Sequence, residues 1–208
     1  MKQLATELPT WGGRREGAGR KPKGRVALVS HDARPDLDGR TPVHVVMRVR
    51  DDVRSLRARA TFLAILAAFA AARERSGLRL IHYSVLGNHL HLIVEAANRD
   101  ALTHAIQGLA IRLARAINRA QERKGRVFAD HYFEHPLRTP AEVRHAIRYV
   151  EQNQRLHEQR AGRPAPAGVD GCSSAATDAP VSAPRTWLLR AGWRRARGTA
   201  RWDERVPP

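Results

Sequence analysis

The chain has 208 residues and a mass of 23.2 kDa, room for one core of ordinary size plus extensions and too little for two full domains. Its 37 Lys and Arg outnumber 20 Asp and Glu and leave a net charge of +17, far beyond what solubility asks for, so a polyanionic partner is indicated. Only four of the cations are lysine (Lys2, Lys21, Lys23, Lys124) and 33 are arginine, whose planar fork grips phosphate bidentately. Nucleic acid therefore leads, with a GC-rich composition bias as the rival source of the arginine. The lone cysteine, Cys172, has no internal disulfide partner and suits a reducing compartment. The longest apolar run, residues 61–72, is too short and Ala-rich to cross a bilayer, and the first residues lack a signal-peptide core. A cytoplasmic protein without a membrane partner is expected.

In chain order, residues 1–40 open with a basic arm. Its GGRREGAGRKPKGR stretch holds Arg14, Arg15, Arg20, Lys21, Lys23 and Arg25 among Gly and Pro that resist regular structure. Such an arm either touches phosphates or is a solvated tail. Residues 43–49 are β-branched and predict a first strand. Residues 59–76 carry Phe62, Leu66 and Phe69 at helical spacing up to a stop at Gly77. Residues 78–86 and 89–94 flank Gly87-Asn88 and predict an antiparallel hairpin. Asn98 caps a helix whose Leu102, Ile106, Leu109, Leu113 and Ile117 share a stripe, ending at Lys124-Gly125.

Residues 127–137 are aromatic and extended. Thr139-Pro140-Ala141-Glu142 is then a capping box with Pro at the first helical position, opening a last core helix that runs to about residue 160. The order β α β β α β plus one helix is the ferredoxin-like split βαβ plan: α+β, a four-stranded antiparallel sheet with helices on one face, and an additional C-terminal helix. The core is expected over 41–161, an Ala/Pro/Ser linker over 162–184, and an Arg/Trp-rich tail over 185–208. In that tail Trp187, Arg190, Trp193, Arg194 and Arg195 suit base stacking with phosphate contact, or else an amphipathic element docked on the core.

Strand alternation places His89 and His91 on one face and Leu90, Leu92 and Val94 on the other. Two residues of rise separate the histidines by about 6.6 Å, close enough for both rings to reach one ion. They either do so or decorate an exposed face. On the last helix His145, Tyr149 and Asn153 fall at i, i+4 and i+8 and share a stripe. A metal, a nucleophile and an oxygen ligand are what phosphoryl transfer requires. Tyr149 alone would more simply be a core residue with a wet hydroxyl.

The stretches HYSVLGNHLHLIVEA (82–96) and VFADHYFEHPLRTPAEVRHAIRYVEQN (127–153), with the tail WLLRAGWRR, resemble the single-tyrosine HUH transposases of the IS200-like family, in particular their REP-associated tyrosine transposase branch. The likeness covers about residues 42–160. The family's two histidines around one hydrophobic residue match His89, Leu90 and His91, and its Tyr-x-x-x-Asn/Gln pattern matches Tyr149 and Asn153. The resemblance implies Mg²⁺ or Mn²⁺ held by His89, His91 and Asn153, and attack by Tyr149 on single-stranded DNA to leave a 5′-phosphotyrosine. It implies hairpin DNA from repetitive extragenic palindromes as substrate, and a monomer, with a homodimer as the alternative. The branch often continues with Asn-Pro-Val where this chain has Asn153-Gln154-Arg155, which leaves subgroup and DNA site open. Two rival readings are a non-catalytic or domesticated DNA-binding protein, and an HUH replication initiator or relaxase, which is normally a larger protein.

Overall fold

The structure, a computed structural model, describes residues 34, 36–73, 78–160, 162, 164, 168–176 and 179–196. Strands and helices follow in the expected order: β1 (Val43–Arg48), α1 (Arg59–Arg73), β2 (Arg79–Val85), β3 (His89–Glu95), α2 (Arg99–Ala120), β4 (Phe133–Pro136) and α3 (Pro140–Arg160). A short helix α4 (Trp187–Arg190) and a 3₁₀ turn (Gly192–Arg195) come after them. The sheet order is β2-β3-β1-β4 with every pairing antiparallel, which is the ferredoxin-like arrangement. Among the described residues no helix is long and apolar enough to cross a membrane.

Local chemistry sets most boundaries. The Asn98 side chain accepts from Ala101 N at 2.8 Å and starts α2. That helix ends at Gln121, sooner than Lys124-Gly125, because Glu122 already turns to a φ of 53°. The capping box forms: Thr139 Oγ1 accepts from Glu142 N at 3.2 Å, while the Glu142 carboxylate accepts from Thr139 N at 3.0 Å. The expected stop of α1 at Gly77 lies outside the described residues. The extended stretch expected over 127–137 pairs in two pieces. Ala129 N donates to Arg48 O, and Phe128 bridges Val49, before the chain leaves the sheet and returns as β4.

The two faces of the sheet carry different cores. Leu90, Leu92 and Val94 join Val43, Val45, Met47 and Val85 beneath α1 and α2. Ile81 and Ile93 meet Val143, Ala146, Ile147 and Val150 of α3, together with Leu189 of α4. Helices therefore cover both faces, not one as expected. The stripe of α3 opposite its polar side needs apolar cover, and after β4 the face left open is the one bearing the histidines. A bulge between Leu80 and His82 lets Ile81 and His82 both address this second face.

Residues from the 162–184 stretch, expected as a linker, run along the outer edge of β2 where they are described. Val85 N donates to Cys172 O, Ser174 N to Tyr83 O and Ser182 N to Leu80 O. Arg57 holds Asp170 with two bonds of 2.7 and 3.0 Å, and Arg79 donates to Ala183 O. The strap leads to a buried carboxylate at the end of β3. Glu95 accepts from Arg185 N, from Thr186 N and from Thr186 Oγ1, the last at 2.8 Å. Thr186 Oγ1 in turn caps α4, and Arg144 of α3 donates to Ala196 O at 2.7 Å. The start of the C-terminal tail is thus clipped onto the helix that carries Tyr149.

Candidate active site

The face between the sheet and α3 gathers imidazoles. Register pairs His91 with Ser84 and with Val46, and His44 with Ile93 and His135, so His44, Ser84, His89 and His91 all point to the α3 side. His89 and His91 have ring centroids 4.8 Å apart and nearly perpendicular planes. His91 meets the Tyr149 ring edge-on at 5.2 Å, and His44 meets it at 6.2 Å. Asn153 follows one turn along the same stripe and is 0% exposed, as is His91; Tyr149 is 5% exposed. His145 sits one turn before Tyr149, half-buried. The sequence-derived set His89, His91, Tyr149 and Asn153 therefore shares one wall, buried at His91, Tyr149 and Asn153 and half-buried at His89.

Two residues were missed by sequence reasoning. His44 lies within hydrogen-bond distance of His91, with 3.0 Å between His44 Nε2 and His91 Nδ1, and the two rings stack at 11°. His157 extends the α3 stripe by another four residues, and its ring lies 5.5 Å from His89. The signals were present: His44 alternates with apolar Val43 and Val45, and His157 stands four residues after Asn153. Neither spacing is distinctive without the sheet register.

Burial governs the titration of the cluster. It pushes His44 down to about 3, with His135 adding to the effect. Burial, then His157 and Arg48, pushes His89 down to about 4. His91 is held well below its ordinary value by burial first and by the neighbouring His44 and His89 next. The rings are neutral near pH 7, the form that ligates metals.

Several buried polar atoms on this wall have no hydrogen-bond partner: His91 Nε2, both side-chain atoms of Asn153, and Ser84 Oγ. Unsatisfied polar atoms cost about 1–3 kcal/mol each, so their gathering on one face fits a polar occupant. Among the described residues no three His, Cys, Asp or Glu side chains are placed to hold a metal ion. The donor set here is two imidazoles and an amide, and that N,N,O combination suits a divalent cation such as Mn²⁺ or Mg²⁺.

Residues 40–153 match the family described as Transposase IS200 like, from just before β1 to Asn153. The chain belongs to that family. Membership places this transposase among DNA-cleaving enzymes. Its fold is similar to that of a REP-associated tyrosine transposase solved bound to a REP hairpin, at 17% identity and a TM-score of 0.50, over 62% of this chain and 74% of that one. A Deinococcus radiodurans R1 protein named as a transposase is also similar, at 13% identity and a TM-score of 0.40, over 65% of this chain and 96% of that one. No curated protein matches the chain.

The other tyrosines lie away from the site. Tyr83 is on the opposite face against Phe69, and burial pushes its hydroxyl up to about 12. Tyr132 packs against that same core beneath the Arg34 guanidinium, 3.7 Å from its ring centroid. Of the sequence-derived DNA contacts, Arg14, Arg15, Arg20, Lys21, Lys23 and Arg25 lie outside the described residues. Trp187 is 53% exposed, with Arg195 over its ring at 5.9 Å. A Cβ on Gly192 would come within 2.7 Å of that ring, so only glycine permits this approach. Trp193 is half-buried and donates to Leu189 O at 3.1 Å, while Arg190, Arg194 and Arg195 are exposed.

Proposed function

We propose that this transposase cuts and rejoins single-stranded DNA folded as a hairpin, with Tyr149 as the nucleophile. The observation that carries the reading is the Tyr149 ring edge-on to His91, one helical turn from the buried, partnerless amide of Asn153. Helix α3 fixes Tyr149 and Asn153 on one stripe, and β3 fixes His89 and His91, so the reacting phosphate would meet all four in one place. A divalent ion, Mg²⁺ or Mn²⁺, held by His89, His91 and Asn153 would supply Lewis-acid polarisation of a non-bridging phosphate oxygen. Tyr149 Oη attacks phosphorus in line with the 3′ oxygen: the Oη–P bond forms, the P–O3′ bond breaks, and the tyrosine proton ends on the departing 3′ oxygen. One phosphodiester is exchanged for another, so the 5′-phosphotyrosine stores the bond, and attack by a 3′-OH rejoins the strands without an external energy source.

Binding falls to other groups. Arg48 stands opposite His89 in the sheet and is well placed to take a phosphate entering the site. The tail offers Trp187 for an unpaired base beside Arg190, Trp193, Arg194 and Arg195, and the basic arm around Arg14–Arg25 adds charge. Tyr149 facing the histidines of its own chain supports a monomer as the working unit, with a homodimer that exchanges tyrosine helices as the alternative, acting on DNA in the cytoplasm. The test is incubation with Mn²⁺ and single-stranded hairpin DNA from the surrounding genome. Wild-type protein should give a denaturant-resistant covalent adduct and Tyr149→Phe none. An adduct persisting in Tyr149→Phe overturns the assignment.

A further inference from the structure

His44 belongs to no part of the mechanism above, yet it is fully buried on the central strand and reaches the site histidine directly. We propose that His44 is a positioning residue: its Nε2 accepts a hydrogen bond from His91 Nδ1–H, fixing the tautomer and ring plane that present His91 Nε2 to a divalent cation. The inference rests on reading His91 as a metal ligand.

The hydrogen bond can be made in only two ways between neutral rings, since each imidazole carries one proton. If His44 Nε2–H donates, His91 Nδ1 must be the acceptor and its proton must sit on Nε2. That puts a proton on His91 Nε2, and a protonated ring nitrogen cannot bind a metal. If His91 Nδ1–H donates, its Nε2 carries a lone pair toward the polar wall formed with Asn153, and the missing partner of that atom becomes the cation. The 3.0 Å separation and the 11° angle between ring planes hold the arrangement firmly. His44 is itself set by β1, which is paired on both sides, with Ile93 and His135 as its cross-strand neighbours. A ligand imidazole oriented through its other nitrogen is the general logic of metal sites, and loss of such a partner weakens metal binding about 10–100-fold. Here a second histidine takes the place usually held by a carboxylate or carbonyl.

The experiment measures Mn²⁺ binding to DNA-free protein by electron paramagnetic resonance, and the imidazole tautomers of the wild-type chain by ¹⁵N NMR. His44→Phe keeps a ring without an acceptor and should weaken Mn²⁺ binding about 10–100-fold. His44→Gln keeps an acceptor oxygen and should hold it within a few-fold of wild type. The NMR spectrum should show His91 protonated on Nδ1. His44→Phe binding Mn²⁺ as tightly as wild type, or His91 protonated on Nε2, overturns the proposal. The tautomer measurement decides the matter even where His44→Phe fails to fold. Wild-type protein that takes up no Mn²⁺ would overturn the metal reading beneath it, whereas normal wild-type uptake with an indifferent His44→Phe overturns the role of His44 alone.

Discussion

Trp187 and Leu189 are two residues apart on the four-residue helix α4, and they offer opposite tests of what the tail does. Leu189 is buried against Ile147 and Val150 of α3, so Leu189→Ala loosens the clip itself. Removing a buried leucine costs about 2–5 kcal/mol, which lowers Tm by roughly 4–20 °C in a chain of this size. Trp187 has 53% of its surface open. An indole of about 200 Å² then keeps about 100 Å² against Gly192 and its neighbours, for an upper bound of about 2.5 kcal/mol of packing, and leaves a similar area for one base. Stacking of a base on an aromatic is worth about 1–3 kcal/mol, a 5- to 150-fold change in affinity. Trp187→Ala should therefore weaken binding to single-stranded hairpin flanks by that factor and leave duplex binding within two-fold. Leu189→Ala should lower Tm and reduce both alike. The assay is fluorescence anisotropy with both ligands, run beside thermal melts of both variants. Equal losses on single-stranded and duplex DNA for Trp187→Ala would make it a packing residue and refute its role as a platform.

Other outcomes follow from the same geometry. His89→Ala or His91→Ala should abolish Mn²⁺-dependent cleavage while DNA affinity falls by less than about three-fold, because arginine contacts to phosphate carry binding; undiminished cleavage in EDTA would contradict this. Deleting residues 1–33, which contain Arg14, Arg15, Arg20, Lys21, Lys23 and Arg25, should flatten the dependence of log Kd on log salt by about 0.7 for each phosphate that the arm neutralises. An unchanged slope would mean that the arm is merely solvated. Cys172 has its thiol pushed up by burial, so it should react with iodoacetamide at pH 8 more slowly than free cysteine in the same buffer.

What the chain discloses without its structure is whatever depends on near neighbours. The Thr139–Glu142 box, the Asn98 cap and the His89/His91 alternation are all decided within four residues, and they occur as the spacing predicts. The stripe of Tyr149 and Asn153 is equally local, which is why the two side chains fall on one face of α3. Three features needed the tertiary fold. The side of the sheet that α3 covers is decided by which apolar face β4 leaves open, not by the helix's own period. The strap, described over 170–176 and 179–183, has Ala, Pro and Ser without periodicity, and it is held by backbone bonds to β2 that no side-chain pattern announces. His44 acquires meaning only when the β1–β3 register brings it beside His91.

The partnerless polar atoms on the site wall carry the strongest physical statement in the molecule, because a core that buries them gives up stability it could have had. Asn153 is the sharpest case: it is fully buried, and neither amide atom has a hydrogen-bond partner. Asn153→Leu replaces a desolvated amide by an apolar group of similar size, relieving a penalty of about 1–3 kcal/mol. In metal-free buffer the variant should melt about 2–12 °C above wild type. Mn²⁺ should reverse the order. At one hundred times Kd a ligand that binds only the folded state contributes about 2.7 kcal/mol, so wild type should gain about 5–11 °C while Asn153→Leu gains far less. Differential scanning calorimetry with EDTA and with Mn²⁺ reads both shifts in one series. A metal-free Asn153→Leu that melts below wild type would mean that the amide is satisfied in solution and serves packing. In that case the wall beside His91 would not be a place kept for an ion, and the assignment of Asn153 as its oxygen donor would fall with it.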